Sequence, residues 1–266
     1  MKNLVLMVAL LVGSLAFSQH KTDKNLKAEP NYSFIQDSAE CEKNFRKHLS
    51  RSGLVMFGIK AGYSHSNLYG KEIDYIFANN KTEWLPGFHA GLMVNASLNK
   101  FLGLKHELLF SMRGARVNLP DSIHGPYSSS LKTYYLDLYP VSPTFHFKGF
   151  QLYAGPYVSL LTAASIQRKN ETGNLFNDRT IFGTPGNRES ENENKYLQKF
   201  DFGIHAGIEY QFQFGLFIGA KYVRGFTDIF QYANSYTFDD PKVDNIRIFT
   251  QTLMISAGYC FLSKYK

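Results

Sequence analysis

FDFGIHAGIEYQF, running from Phe200 to Phe212, sets Phe200, Phe202, Ile204, Ala206, Ile208, Tyr210 and Phe212 on one face and Asp201, Gly203, His205, Gly207, Glu209 and Gln211 on the other. An unbroken period of two marks an extended strand, because successive Cβ atoms point to opposite sides. Strands of soluble proteins run about 5–6 residues, whereas crossing a bilayer takes about 9–11. This segment is long enough to cross, and it predicts a membrane barrel.

The same alternation recurs on both sides of it. Phe57, Ile59, Ala61 and Tyr63 oppose Gly58, Lys60 and Gly62; Phe88, Ala90, Leu92 and Val94 oppose His89, Gly91 and Asn95. Leu102, Leu108 and Phe110 oppose Lys105, Glu107, Ser111 and Arg113, and Phe150, Leu152 and Ala154 oppose Gln151, Tyr153 and Gly155. Leu216, Ile218 and Tyr222 oppose Phe217 and Lys221, and Leu253, Ile255, Ala257 and Tyr259 oppose Met254, Ser256 and Cys260. The stretch from Tyr134 to Phe147 supplies one more strand, but Leu136 and Leu138 fall out of phase with Val141, Phe145 and Phe147. Pro140 and Pro143 lie between them, and strand prolines cannot donate to the ladder, so a bulge is expected there.

Eight strands is an even number, as single-chain bacterial barrels require. Asn99-Lys100, Lys148-Gly149 and the few residues after Phe212 make short turns, while about Ser66 to Pro86, Gly114 to Thr133, Ser165 to Lys199 and Thr227 to Asn245 form long polar connections. Such alternation predicts short turns on the periplasmic side and long loops on the extracellular side. The expected fold is an all-β, eight-stranded, antiparallel up-and-down transmembrane barrel over residues 54–261, with a tail at 262–266.

Leu4 to Phe17 is the one continuous apolar run; it follows Lys2 and contains no acidic residue. Its length suits the core of a secretory signal rather than a spanning helix, so residues 1–18 are expected to be removed on export. With no second such run, a chain that remains in a membrane must close a barrel, since unpaired backbone is not tolerated in hydrocarbon. The net charge of +7 comes from scattered lysines and arginines. No compact basic patch with interleaved aromatics appears, which excludes nucleic acid as a partner.

The segments GIKAGYSHSNL, GFHAGLMVN, LKHELLFSMRGAR, YYLDLYPVSP, KGFQLYAGPYVSLL, KFDFGIHAGIEY and GLFIGAKYVRGFTDI, within about Val55 to Phe261, together resemble the PorT-like outer-membrane β-barrel proteins of Bacteroidota. The chain departs from the family's leucine- or isoleucine-rich fourth strand at Tyr139 to Pro143. The resemblance implies an outer-membrane barrel and permits a role beside a secretion apparatus; the placement of the short turns puts both termini on the periplasmic side. It carries no catalytic residue and no cofactor.

Alternation alone does not say which face meets lipid; charge does. A polar lumen would gather Lys60, Lys105, Arg113 and Lys221 with Glu107, Asp137, Asp201 and Glu209, four charges of each sign. A barrel of eight strands is only wide enough for side chains to fill, so the expected interior is closed and salt-bridged. A pore would require a wider barrel or a constriction of one sign. His65, His89 and His205 are assigned to the lumen and His106 to the outer face. Ser64 and His65 are adjacent and so diverge, and neither a GxSxG nor an HExxH pattern occurs. No cofactor or metal is expected.

Residues 19–53 lack strand periodicity. Asp37 and Glu40 suggest a capped helix with Cys41, Phe45 and Leu49 along one stripe, on the turn side of the barrel. Cys260 ends the last strand on that side, in an oxidising compartment, so Cys41 and Cys260 are a candidate disulfide, with two free thiols as the alternative. The function expected is non-enzymatic: surface binding or an envelope or secretion accessory role, in contact with outer-membrane lipid and an envelope or secretion-system protein. The alternatives are a lipid-modifying barrel enzyme and a small channel.

Overall fold

In the computed structural model, the described residues are 55–70, 73, 82–119, 127–169, 175–177, 197–230 and 247–262. The signal segment, the expected helix with Cys41, and residues 263–266 lie outside them. Nine strands are described: β1 (Val55–Tyr69), β2 (Thr82–Ser97), β3 (Leu102–Leu119), β4 (Tyr127–Phe147), β5 (Phe150–Lys169), the short β6 (Leu175–Asn177), β7 (Phe200–Gln211), β8 (Leu216–Gly225) and β9 (Phe249–Leu262). Each long strand pairs antiparallel with its neighbours, and β1 pairs with both β2 and β9, so eight strands close into a barrel. β6 is an addition to the expected set. It pairs only with the far end of β5, within the connection expected to be a loop.

The short connections after β2, β4 and β7 define a turn end, and the opposite rim is a loop end. At Lys148-Gly149 both residues have positive φ, 48° and 90°, the conformation that a two-residue hairpin matched to strand twist demands. The bulge expected in β4 is present. Leu138 pairs with Val158 and Thr144 with Tyr153, six residues against five, so one extra residue on β4 reverses the phase. Asp137 and Tyr139 point inward before it, Ser142 and Thr144 after it, and Val141, Phe145 and Phe147 are exposed. Two further register shifts lie in β2 between Trp84 and His89 and in β5 beside Thr162.

The outer face along most of the barrel is a band of exposed apolar side chains, including Ile59 at 52%, Leu92 at 58%, Ile204 at 52% and Ile255 at 58% exposure. No water-soluble fold leaves so many large apolar groups uncovered in one belt. Aromatic residues rim it, with Tyr63, Trp84, Phe200 and Tyr222 toward the loop end and Phe101, Phe147, Phe150, Tyr259 and Phe261 toward the turns, the arrangement found where a barrel meets the two membrane interfaces.

The strands continue past this band. The loops expected from Ser66 and from Gly114 to Thr133 are strand as far as Tyr69 and Leu119 and again from Tyr127. In this upper section the pattern inverts. Val117 and Leu131 are buried inside, while Arg116 is exposed outside and pairs with the exposed Glu83 at 4.0 Å. Outside the membrane the wall faces water, and so polar residues take the outer positions.

Candidate functional site

Lumen residues are delivered by the inward phase of every long strand. Gly207 and Gly203 show why small residues recur there: a Cβ on Gly207 would meet the Tyr153 ring, and one on Gly203 would lie 2.7 Å from Tyr157. These absences make space for the large side chains that fill the barrel.

All eight charged residues expected in the lumen are buried, and they are all of the buried Lys, Arg, Asp and Glu among the described residues. The structure divides them into two clusters. Toward the turn end, Lys60 bonds Glu107 at 2.8 Å and also reaches Glu209; Lys105 bonds Glu209, and Lys221 bonds Glu107. Three ammonium groups thus share two carboxylates. Two lysines also lie over aromatic rings, Lys221 at 3.7 Å from the centre of Tyr139 and Lys105 at 4.0 Å from Tyr153. In a dry interior these ring faces help to carry the surplus positive charge.

Nearer the loop end, Arg113 is the cation for two carboxylates, at 2.6 Å from Asp137 and 3.4 Å from Asp201. Hydroxyls supply the remaining donors. Ser111 and Ser159 each donate to Asp137 at 2.6 Å, and Tyr157 and Thr250 donate to Asp201 at 2.8 and 3.1 Å. The turn-side cluster therefore carries one net positive charge and the other one net negative charge, and the lumen as a whole is neutral.

Apolar layers bracket these clusters. Met56, Met93, Phe217 and Cys260 pack together at the turn end, and Tyr139, Tyr157, Leu109, Val223 and Met254 lie between the two charged groups. At the loop end Leu68, Val117, Leu131 and Leu161 meet Leu197, Ile229, Phe230 and Ile248 from chain that has left the long strands. Backbone bonds from Gln198 to Ile229 and from Ile229 to Ile248, both 2.9 Å, fix this cap. Cys260 is buried facing the lumen and has no disulfide partner among the described residues. Its candidate partner Cys41 lies outside the described residues.

The histidines differ from their expected places in two cases. His89 and His205 are in the lumen, but His65 turns outward against Tyr63 and Trp84, with ring centres 6.0 and 5.3 Å away. Its odd number shares the phase of Tyr63, so strand periodicity itself assigns it to the outer face. His106 was expected outside yet is buried, because its Nδ1 bonds the carbonyl of Pro140 at the β4 bulge. There a side chain replaces a ladder bond that the bulge removes.

Two Ser–His pairs escaped sequence reading: Ser142 with His205 at 2.9 Å and Ser256 with His89 at 2.8 Å. Their members are far apart in the chain, and only strand register brings them together. The Nδ1 atom of each histidine has no hydrogen-bond partner among the described residues. A hydrolytic triad requires a carboxylate on that nitrogen and access for substrate. Neither pair has the carboxylate, and all four side chains are buried.

A family model described as an outer membrane protein beta-barrel domain matches residues 19–231. No curated protein matches the chain. Among solved structures the chain is similar to Ail, the attachment invasion locus protein of Yersinia pestis, at 15% identity over 78% of this chain and 99% of that one, with a TM-score of 0.37. It is similar to Neisserial surface protein A at 12% identity (77% and 97% covered, TM-score 0.41) and to OprG of Pseudomonas aeruginosa at 13% (81% and 99%, TM-score 0.41). With a closed eight-stranded sheet, an apolar outer belt and a neutral, charged lumen, the chain belongs to the outer membrane protein beta-barrel domain family and is a barrel of the bacterial outer membrane.

Proposed function

We propose that this protein is a non-enzymatic outer-membrane barrel whose work is done at its loop end, as a surface-binding or envelope accessory protein, and that both termini face the periplasm. The observation that carries this reading is the filled lumen. Eight buried charges are held in ion pairs between apolar layers at both ends, which leaves the outer wall and the loops as the surfaces available to a partner. The PorT-like resemblance of the strand segments supports an accessory role in a Bacteroidota envelope, next to a secretion-system protein.

Crosslinking in intact envelopes tests the proposal. One recurrent envelope protein should be captured by the native chain and lost when residues 178–196 are replaced by a short Gly/Ser linker in a barrel that still folds. An epitope placed in that segment should be accessible on whole cells, and one at the C-terminus should not. Ion conductance above background in planar bilayers would overturn the reading in favour of a channel.

A further inference from the structure

Strands β7, β8, β9 and β1 are successive neighbours and form one side of the barrel. Among the described residues, the outer face of this side carries Arg224 and no other Lys, Arg, Asp or Glu. The acids of these strands, Asp201 and Glu209, point into the lumen, and Glu83 on β2 is matched with Arg116. A lone cation on a lipid-facing wall is costly unless something pairs it, so such a residue marks a functional site. Arg224 follows Tyr222 in the same outward phase, two residues nearer the loop end, a rise of about 7 Å along the strand. That step takes it just past the aromatic rim, to the height of lipid headgroups.

The exposed guanidinium is held in place. Its Cζ lies 4.5 Å from the centre of the Tyr69 ring. Tyr69 is itself fixed, because its hydroxyl donates to the Gly225 carbonyl and its ring packs against Phe249 with centres 5.3 Å apart. Stacked on a ring, a guanidinium keeps its planar fork of N–H donors for a ligand. A second donor stands beside it. Gln251 is the direct cross-strand partner of Arg224, and its Oε1 accepts the Tyr222 hydroxyl at 3.0 Å. The acceptor end of that amide is thereby engaged, and its Nε2 is left to donate next to the fork. Two donor groups side by side suit an anion with several oxygens, and at headgroup height a lipid leaflet presents phosphate.

We propose that Arg224 and Gln251 bind the phosphate of one membrane-lipid headgroup in the leaflet at the loop end, with Tyr69 positioning the guanidinium. Phosphate oxygens accept from the arginine fork in bidentate fashion, and a further oxygen accepts from Gln251 Nε2. The site is the same whichever side of the membrane the loop end faces. Native mass spectrometry of the full barrel in a neutral detergent tests it. The probes are dioleoyl phosphatidic acid, the matching diacylglycerol without the phosphate, and inorganic phosphate without the chains. The native barrel should retain one phosphatidic acid, at least about tenfold more than either of the others. Arg224→Gln should lower that retention by at least about tenfold, and Gln251→Leu by about threefold. Arg224→Lys keeps the charge but loses the fork, and should fall between Arg224→Gln and the native chain. Lys148→Gln, which removes a cation held over Phe147 at the turn end, should leave retention unchanged.

Folding of each variant is read from its heat-dependent gel migration, and Gln251→Leu decides the matter if Arg224→Gln does not fold. Equal retention by the native barrel and Arg224→Gln overturns the proposal. So does equal loss in Lys148→Gln, which would mean diffuse attraction of charge. Inorganic phosphate retained as strongly as phosphatidic acid would make this a free-phosphate site. Phosphatidic acid retained only after Asp239, Asp240 and Asp244 are changed to Asn would mean that the chain's own carboxylates fill it. Either result also overturns the lipid assignment.

Discussion

The membrane-height section of the wall and the section above it are built on opposite rules. In the first, Ile59, Leu92, Ile204 and Ile255 face out and Lys60, Glu107, Arg113 and Asp137 face in; in the second, Val117 and Leu131 face in and Arg116 faces out. The same strands run through both, so backbone geometry is constant and only the surrounding medium changes. The inversion teaches that sidedness belongs to the medium and not to the strand. It also fits the placement of all eight buried charges in the section whose exterior is lipid, below the apolar core of Val117, Leu131 and Leu161.

Substitutions in the two sections sharpen this contrast. The largest effect is expected for Arg113→Met, which leaves Asp137 and Asp201 buried without their cation. Breaking a buried pair costs about 3–5 kcal/mol, read as a lower urea midpoint of the lipid-reconstituted barrel. Leu131→Ala in the upper core should cost about 2–4 kcal/mol through the lost contacts and the cavity. Ile255→Arg on the outer belt should cost a similar or slightly smaller amount, about 2–4 kcal/mol near mid-membrane. If it proves neutral, that wall does not face lipid.

Within the lumen the clusters themselves differ. Glu107 and Glu209 each serve two lysines, whereas Arg113 serves two carboxylates alone. Lys221→Met should therefore be milder than Arg113→Met, since Glu107 keeps Lys60. A loss of equal size would mean that the lysines are not redundant. The smallest effect is expected for Arg116→Ala, which breaks an exposed pair worth at most about 1 kcal/mol; a larger drop would show that the upper wall is held by its surface.

Much of this molecule is legible in one dimension. The period of two in segments such as Phe200 to Phe212 named the strands, and the positions of Pro140 and Pro143 located a bulge. The strand ends are not legible, because apolar residues stop marking the outer face where Arg116 takes the outer position and Val117 the inner. His106 departs from its phase for a related reason: the bulge opposite it breaks the link between residue number and face. The Ser142–His205 and Ser256–His89 pairs gave no local signal, since each joins residues 63 and 167 positions apart.

The sequence by itself determined the eight strands of the barrel wall, the outer belt and the eight inward charges, because alternation is a local property of extended chain. Tertiary structure alone decided that those charges divide into a lysine-rich and an aspartate-rich cluster with apolar layers around them. Register and barrel closure set which inward residues share a height, and neither can be read from a single strand.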